Sequence, residues 1–459
     1  MVDHRLKDLH GPSRRRFLKF TAAAGALLAL DRTEVLNIVA DSGGHALADE
    51  ASCAETNRSV HLVAGIGGFA WFQLLFPHNG IAAANNDTFA FHAFGQTEMA
   101  TDTDEDFTFA PETPWKTLDA KKRVTALMAG ANETHTDQPS SAADLGGGIS
   151  MLAAVAALQS QLPSLLPVIG VAPFGFGTAP GAPQVTTVSA PAGMVELFNS
   201  SASRALLDLP EDAALYEAYY KAFLGLNKAA RRSTWQGQLR ITKASANFLG
   251  KNLASELMPT ASDMTSYGID GAPTNLFDLG YGLIVAARAF KLGLTNSVIL
   301  PALNDDPHSA FNDMGDLQLR VGILGKMLDA FMADLASAQD PVCSGKTLAD
   351  STIMTIHGDT PKTPRDRNVW PDGTPNNSNW IYVLGQGYLK TGWFGGITPN
   401  EEYGFDPATG EAVLGKPSSE TSAAAAAAVA FAVAQGDMQR VSQFFSGGSI
   451  AGIINQQIL

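Results

Sequence analysis

Two pairs of side chains in this sequence have the types and the spacing that a metal ion could use. Asp306 and His308 stand two residues apart, and His357 and Asp359 repeat the arrangement in the opposite order. Carboxylates and imidazoles are ligands of hard and borderline divalent ions. Asp306 and His308 are therefore a candidate metal site, whereas the pair His357 and Asp359 is by itself more often structural. The alternative is structural, because acidic residues also favour turns and the first turn of a helix.

A third stretch could supply a nucleophile. Thr134, His135 and Thr136 follow an apolar run, so a hydroxyl would stand beside an imidazole in a loop after a strand. A threonine hydroxyl can act as a nucleophile when a neighbouring base takes its proton. The three residues are therefore candidate catalytic groups. Ordinary turn formation is again the alternative, since Asn, Asp and Thr are common in turns.

A glycine pattern near the mature N-terminus raises a nucleotide hypothesis. Gly65, Gly67 and Ala70 form a GxGxxA pattern directly after an apolar run. Such glycines bring backbone amides close to a pyrophosphate in dinucleotide-binding folds. The acidic residue expected at the end of the next strand is missing, because Asp87 precedes an apolar run instead of ending one. Nucleotide-linked redox chemistry is therefore a minor alternative.

The elements that must position these residues alternate along the chain. Short β-rich runs and amphipathic stretches of helical period follow one another. The predicted strands are 60–64, 124–129, 167–172, 297–303, 352–357 and 380–385, and the predicted helices are 149–161, 211–230, 316–336 and 421–434. This alternation predicts an α/β fold with a mostly parallel central sheet flanked by helices. The candidate residues would then lie where strands open into loops.

The rest of the chain predicts one domain with long excursions. Residues 173–191 are rich in Gly, Ala and Pro and predict a long loop. Residues 205–258 are rich in Ala, Leu and Lys and predict a helical insertion. No internal repeat or linker interrupts the sequence, so residues 49–459 are expected to form a single domain.

The N-terminus carries the pattern of an export signal. Arg14, Arg15 and Arg16 precede the apolar run 20–30, and a small-residue cleavage site ends at Ala48. A twin arginine before a short apolar run is typical of the bacterial twin-arginine (Tat) signal. We therefore expect residues 1–48 to be a signal peptide and the mature protein to be periplasmic or extracellular.

Charge and cysteine content narrow the range of partners. The net charge is −14, and it becomes −16 once the seven basic and five acidic residues of 1–48 are removed. This argues against nucleic acid or an anionic membrane surface as a partner. No other run has transmembrane length, so the mature chain is not expected to be an integral membrane protein. The two cysteines, Cys53 and Cys343, form either one disulfide or two unrelated thiols.

Several of these stretches, read in order, resemble a known exported family. They are Asp305-Asp306-Pro307-His308, 328–335, 356–365, 373–377 and 384–392. Their order and spacing over residues 297–396 resemble family 1501 of the domains of unknown function, a Tat-exported family of the alkaline phosphatase/sulfatase-like superfamily. The resemblance implies an alkaline phosphatase-like sheet, where Asp and His residues hold one or two divalent ions that activate a nucleophile. It implies at most one such site in this chain, with Asp306, His308, His357 and Asp359 as the ligands of a single Zn, Mn, Ca or Mg ion.

The departures from the family pattern leave two functions open. Pro375 and Asn376 replace the family's Asp-His pair, and no acidic residue follows Gly67 and Gly68. One hypothesis is a degenerate, non-catalytic binding or structural module with an unknown partner in the cell envelope. The other is a metal-dependent hydrolase of a small anionic ester, a phosphate or a sulfate, with Thr134 or Thr136 as nucleophile.

Overall fold

The structure is a computed structural model of the 459-residue chain. It describes residues 56–65, 68–76, 78, 97–99, 107–109, 124–130, 144–162, 164–199, 252–304, 313–358, 379–384, 386–397 and 402–455. The predicted signal peptide and the predicted helix 211–230 lie outside these residues. Both therefore stay predictions.

Eight strands form one mixed sheet in the order β10-β4-β9-β8-β1-β7-β5-β6. The sheet strands are β1 (Arg58–Gly65), β4 (Val124–Gly130), β5 (Val168–Val171), β6 (Val185–Val188), β7 (Ser297–Asn304), β8 (Thr352–Gly358), β9 (Asn379–Leu384) and β10 (Gly392–Phe394). Only β9 runs antiparallel to its neighbours. Two small hairpins pair β2 (Thr97–Met99) with β3 (Phe107–Phe109) and β11 (Gly396–Ile397) with β12 (Glu402–Tyr403).

Nine α-helices are described, and the longer ones cover both faces of the sheet. They are α1 (Phe69–Leu75), α2 (Met151–Leu158), α3 (Pro191–Glu196), α4 (Ala254–Leu257), α5 (Ala261–Tyr267), α6 (Thr274–Lys291), α7 (Met314–Ser337), α8 (Ser418–Val433) and α9 (Met438–Val441). Helices α1, α5, α6 and α7 form one layer through contacts with α7. Helices α2 and α8 contact each other in the opposite layer, and α8 also contacts β4 and β8.

The central strands are buried because helices lie on both of their faces. All residues of β1 and of β8 are buried, as expected for strands in the middle of a parallel sheet. Helix α8 is buried along almost its whole length, and its alanine run packs tightly because alanine adds little bulk to the helix surface. Helix α7 begins at Asp313, whose carboxylate accepts hydrogen bonds from the Gly315 and Asp316 amides.

The predicted fold class is confirmed. All six predicted strands are present, with their ends displaced by no more than two residues, and they form a mostly parallel sheet between helical layers. The predicted helices 149–161, 316–336 and 421–434 correspond to α2 with a short 3-10 turn (Gln159–Gln161), α7 and α8. The sheet alone does not show that the fold is alkaline phosphatase-like, and this assignment stays a proposal.

Several described elements were not predicted, among them strand β6 and helix α6. The stretch 173–191, predicted as a loop, contains the edge strand β6. Its Val-Thr-Thr-Val sequence favours a strand, but four residues between Gly- and Pro-rich segments gave too weak a pattern. Helix α6 was also missed, because Gly280 and Gly282 interrupt its apolar stripe. Gly282 lies against Leu300, so its missing side chain lets the helix approach the sheet.

The chain divides into two compact units. One comprises residues 53–162, 166–196 and 257–459 and contains the sheet; the other comprises 1–52, 163–165 and 197–256. Of the predicted insertion at 205–258, residues 252–258 are described and include α4. The prediction of one domain with a helical insertion stays a prediction. Among the described residues, no helix is long and apolar enough to cross a membrane.

Candidate functional site

Four strands bring the candidate loops to one edge of the sheet. Strands β1, β4, β7 and β8 point the same way and end at Gly65, Gly130, Asn304 and Gly358. The glycine pattern and the loops with the predicted site residues directly follow these four ends. We call this side of the sheet the carboxyl edge. In open α/β sheets this edge carries the ligand site.

Most of the predicted site residues lie outside the described part of the chain. This applies to Thr134, His135 and Thr136 after β4, to Asp306 and His308 after β7, and to Asp359 after β8. Their convergence on one ion therefore stays a prediction. His357 is the one predicted site residue whose surroundings the structure describes.

His357 lies inside the protein and not in a loop. Its side chain is 1% exposed, and its Nδ1 atom is 3.2 Å from the Thr355 hydroxyl on the same strand. Successive strand residues point to opposite faces, so the two side chains share a face of the sheet. That face is the one that α2 and α8 cover. Ser59 of β1 bonds there to Gln159, directly after α2, and Asn57, directly before β1, donates to the Ala432 carbonyl of α8.

A second buried histidine, His61, completes the group. His61 lies on β1 opposite Thr355, is fully buried, and has its Nδ1 atom 2.7 Å from the Thr355 hydroxyl. The two imidazole rings stand nearly perpendicular, with their centroids 6.2 Å apart. Sequence reasoning missed His61 because the candidate site residues were sought in loops and at strand ends. The available signal was the polar residue His61 within the apolar run 60–64, on a strand that is buried on both faces.

The shared hydroxyl couples the protonation of the two rings. A hydroxyl donates one hydrogen bond, so Thr355 can donate to one Nδ1 atom and accept an N–H from the other. The two neutral histidines then adopt opposite tautomers. One Nε2 atom carries a hydrogen, and the other carries a lone pair.

Burial keeps both rings neutral. It lowers the pKa of His357 from 6.5 to about 4. Burial also lowers the pKa of His61 well below the ordinary value, and the neighbouring His357 lowers it further. Charging either ring would place an uncompensated cation in the interior, which is costly. Near pH 7 the pair therefore acts as a hydrogen-bonded polar element without charge.

The two Nε2 atoms cannot chelate one ion. Both rings turn Nδ1 toward the same hydroxyl, so the Nε2 atoms lie on the far sides of the rings and point apart. Each Nε2 atom is buried and has no hydrogen-bond partner in the described part of the chain. Within that part there is also no cluster of three or more His, Cys, Asp or Glu residues that could hold a metal.

Of the two histidines, His357 has the geometry of a possible ligand. Thr355 precedes it on β8, so the Nε2 side of its ring faces toward the carboxyl edge. Asn379, the first residue of β9, lies at the same edge and on the same face, since register places it two residues beyond the position opposite His357. Its carboxamide is fully buried, with neither atom hydrogen-bonded among the described residues. Sequence reasoning did not identify Asn379.

Backbone packs directly on backbone at the ends of β1, β7 and β8. A Cβ atom on Gly68 would lie 2.0 Å from the Leu303 carbonyl oxygen, and one on Gly358 would lie 2.1 Å from that of Ala64. Both distances are far below van der Waals contact, so only glycine fits. Gly68, which lies next to the glycine pattern, thus lets the start of α1 approach β7.

A disulfide at Cys343 and a buried ion pair between Arg58 and Asp340 lie at the opposite edge of the sheet, and we call them together the clamp. Cys343 is disulfide-bonded, and the only other cysteine in the chain is Cys53, which lies outside the described residues. Nearby, Arg58 forms a buried ion pair with Asp340 at 2.9 Å. The Ser351 hydroxyl and the Val342 amide also donate to Asp340. Despite desolvation by burial, Arg58 and these donors hold the pKa of Asp340 below its ordinary value.

No family model, curated protein or solved structure was found to match the chain.

Proposed function

We propose that this chain is an exported cell-envelope protein with a degenerate alkaline phosphatase-like fold that serves as a non-catalytic binding or structural module. The twin-arginine sequence before residue 20 supports export. The disulfide at Cys343 supports an oxidising compartment, because such bonds rarely persist in a bacterial cytoplasm. These two features together support a periplasmic or extracellular location.

The close packing at the carboxyl edge is the observation that carries the non-catalytic assignment. A side chain at Gly68 would clash with the Leu303 backbone, and one at Gly358 would clash with the Ala64 backbone. Where the related G-G-x-D pattern would place an acidic ligand, this chain has Ala70. A metal ion needs several side-chain oxygens or nitrogens at about 2.0–2.6 Å. Neither Gly68 nor Gly358 can therefore be replaced by a residue that supplies such an atom. This packing, together with the replacement of the family's Asp-His pair by Pro375 and Asn376, favours binding over catalysis.

Metal analysis and an ester assay on one preparation test this proposal. The mature protein, purified without chelators, should contain no stoichiometric Zn, Mn, Ca or Mg. It should also fail to hydrolyse p-nitrophenyl phosphate and p-nitrophenyl sulfate when these ions are added. A stoichiometric ion together with turnover would refute the non-catalytic assignment.

A metal-dependent hydrolase of phosphate or sulfate esters is the second candidate, and His357 favours it. Metal-binding histidines are neutral and use one ring nitrogen to bond an outer partner that fixes the ring. His357 meets both conditions through burial and Thr355, and its Nε2 atom has no partner among the described residues. Asp306, His308 and Asp359 would then complete the ligand set around a single divalent ion.

A double variant separates the two candidates. Asp306→Ala with His308→Ala should leave the metal content unchanged in a non-catalytic module, because there is no bound ion to lose. Loss of a bound ion and of ester hydrolysis in this variant would establish the hydrolase. Nucleotide-linked redox chemistry has its own test, since purified protein would then show flavin or nicotinamide absorbance.

A further inference from the structure

Thr355 contacts the two buried histidines at different distances. Its hydroxyl oxygen lies 2.7 Å from Nδ1 of His61 and 3.2 Å from Nδ1 of His357. Bonds that a hydroxyl donates are typically about 2.7–2.8 Å long, whereas those that an N–H group donates are about 2.9–3.0 Å and reach about 3.2 Å. The short contact therefore fits donation by Thr355 to His61, and the long contact fits donation by His357 to Thr355.

The other arrangements of hydrogens satisfy these atoms less well. If both rings donated to Thr355, the hydroxyl hydrogen would have no acceptor among the described residues. A buried donor without an acceptor is costly. If neither ring donated, two nitrogen lone pairs would face a hydroxyl that has only one hydrogen. The reverse of the proposed arrangement would assign the long contact to the hydroxyl donor and the short contact to the N–H donor.

This arrangement decides which nitrogen carries the hydrogen on each ring. Burial keeps both rings neutral, so each ring carries one hydrogen on nitrogen. With its hydrogen on Nδ1, His357 has a lone pair on Nε2, and this atom has no partner among the described residues. His61 is the opposite tautomer, with its hydrogen on Nε2. On the side of its ring that faces the carboxyl edge, His357 therefore offers an acceptor and not a donor.

Asn379 offers both kinds of group at the same edge and on the same face. Its carboxamide is fully buried, with neither atom hydrogen-bonded in the part of the chain that the structure describes. The carboxamide oxygen accepts hydrogen bonds and the nitrogen donates them. Asn379 lies diagonally across from His357 on the neighbouring antiparallel strand, and such residues are about 7–8 Å apart between Cα atoms. One small group can therefore contact both side chains, which offer it two acceptors and a donor without charge.

We propose that Thr355 is a positioning residue that keeps the hydrogen of His357 on Nδ1, so that the carboxyl edge binds a neutral group with a donor hydrogen, such as a hydroxyl or an amide N–H. The proposal rests on the binding function proposed above and names the ligand class of that site. An unprotonated oxygen of a phosphate or sulfate ester would face the lone pair of His357 Nε2 and be repelled. Thr355 acts through His357 and does not contact the ligand.

¹⁵N NMR of the histidine rings tests the role of Thr355, because ring nitrogens with and without a hydrogen resonate at well-separated positions. The mature protein is studied at neutral pH with EDTA present, and the resonances lost in His61→Asn and His357→Asn assign the two rings. Wild-type His357 should carry its hydrogen on Nδ1, and His61 on Nε2. Thr355→Val removes the hydroxyl with little change of shape, so His357 should then populate both tautomers. Thr355→Ser keeps the hydroxyl and should restore the wild-type pattern.

The wild-type spectrum decides the direction even if a variant fails to fold. A hydrogen on Nε2 of His357 would overturn the proposal, and so would an unchanged tautomer in folded Thr355→Val. Two small probes test the ligand class in the same spectra. Acetamide, which has an amide N–H, should shift the Nε2 resonance of His357, whereas sodium sulfate, which has no donor hydrogen, should leave it as sodium chloride of equal ionic strength does.

An equal response of His357 to acetamide and sulfate, or a larger response to sulfate, would overturn the proposed ligand class. These measurements depend neither on metal content nor on ester hydrolysis. Their failure would therefore leave the non-catalytic assignment standing, and that assignment is decided by its own metal analysis and ester assay.

Discussion

Acid should destabilise this protein through His61 and His357. In the unfolded chain both imidazoles titrate near the ordinary value of 6.5, whereas burial lowers the pKa of His357 to about 4 in the folded state. Between these pH values the unfolded chain binds more protons than the folded chain. Stability is therefore fully present above about pH 7 and falls as the pH drops through this window.

The size of the effect follows from the two pKa values. For His357 alone, the free energy of unfolding should fall by about 2 kcal/mol between pH 7.5 and pH 5, and by about 3 kcal/mol at pH 4. His61 acts in the same direction, because burial and then His357 lower its pKa as well. A protein of ordinary stability, about 5–15 kcal/mol, would lose a measurable part of it.

The assay is urea unfolding, followed by tryptophan fluorescence from pH 4.5 to 7.5 with EDTA present. His357→Asn is the informative variant, because the asparagine amide lies where the ring Nδ1 atom lay and can still bond to Thr355. The variant removes the titration while it keeps that hydrogen bond. Its free energy of unfolding should depend on pH less steeply than that of the wild type, by about 2 kcal/mol between pH 7.5 and pH 5.

Val63→Ala is the matched control. Val63 lies opposite His357 in the register of β1 and β8 and is equally buried. Its truncation should lower stability by about 1–3 kcal/mol at every pH without changing the slope. If His357→Asn and wild type show the same pH dependence, the claim that His357 is neutral only because it is buried is wrong.

Three further changes test the packing and the clamp by urea unfolding at pH 7.5. Gly68→Ala should cost about 3 kcal/mol through the clash with Leu303, whereas Gly322→Ala, in a helix interior with open space, should be neutral or stabilising by up to about 1 kcal/mol. Arg58→Met should cost about 3–5 kcal/mol, because it leaves the Asp340 carboxylate buried without its cation. Cys343→Ser should cost about 2–5 kcal/mol, and reduction of the wild type should have the same effect. Equal stability of the two glycine variants, or of reduced and oxidised protein, would contradict these explanations.

Hydrophobic pattern was sufficient to predict the sheet. Strands such as β1 and β8 are apolar runs because helices cover both of their faces, and the long stripe of α7 identifies it as a surface helix. Strand β6 was missed because a short edge strand needs few apolar residues. Helix α6 was missed because a propensity scale counts Gly280 and Gly282 only as unfavourable, although Gly282 lets the helix pack against Leu300.

The site was harder to predict from the sequence, because the contacts among its described residues depend on how neighbouring strands align. The relation of His61 to Thr355 follows from the pairing of β1 with β8, two strands that are almost 300 residues apart in the chain. No local pattern contains that information. The sequence did place His357 at the end of its strand, but the loop residues around it suggested an exposed group, whereas the ring is buried beneath a helical layer.

The alanine run of α8 and the two histidines are best understood together. Helix α8 contacts β8 and belongs to the layer that covers the face with His61 and His357. An imidazole that stands upright on a strand needs depth between sheet and helix, and alanines provide it without opening a cavity. A metal ion at the carboxyl edge could recruit His357 only through its Nε2 atom, because Nδ1 is bonded to Thr355 and Nε2 has no partner among the described residues.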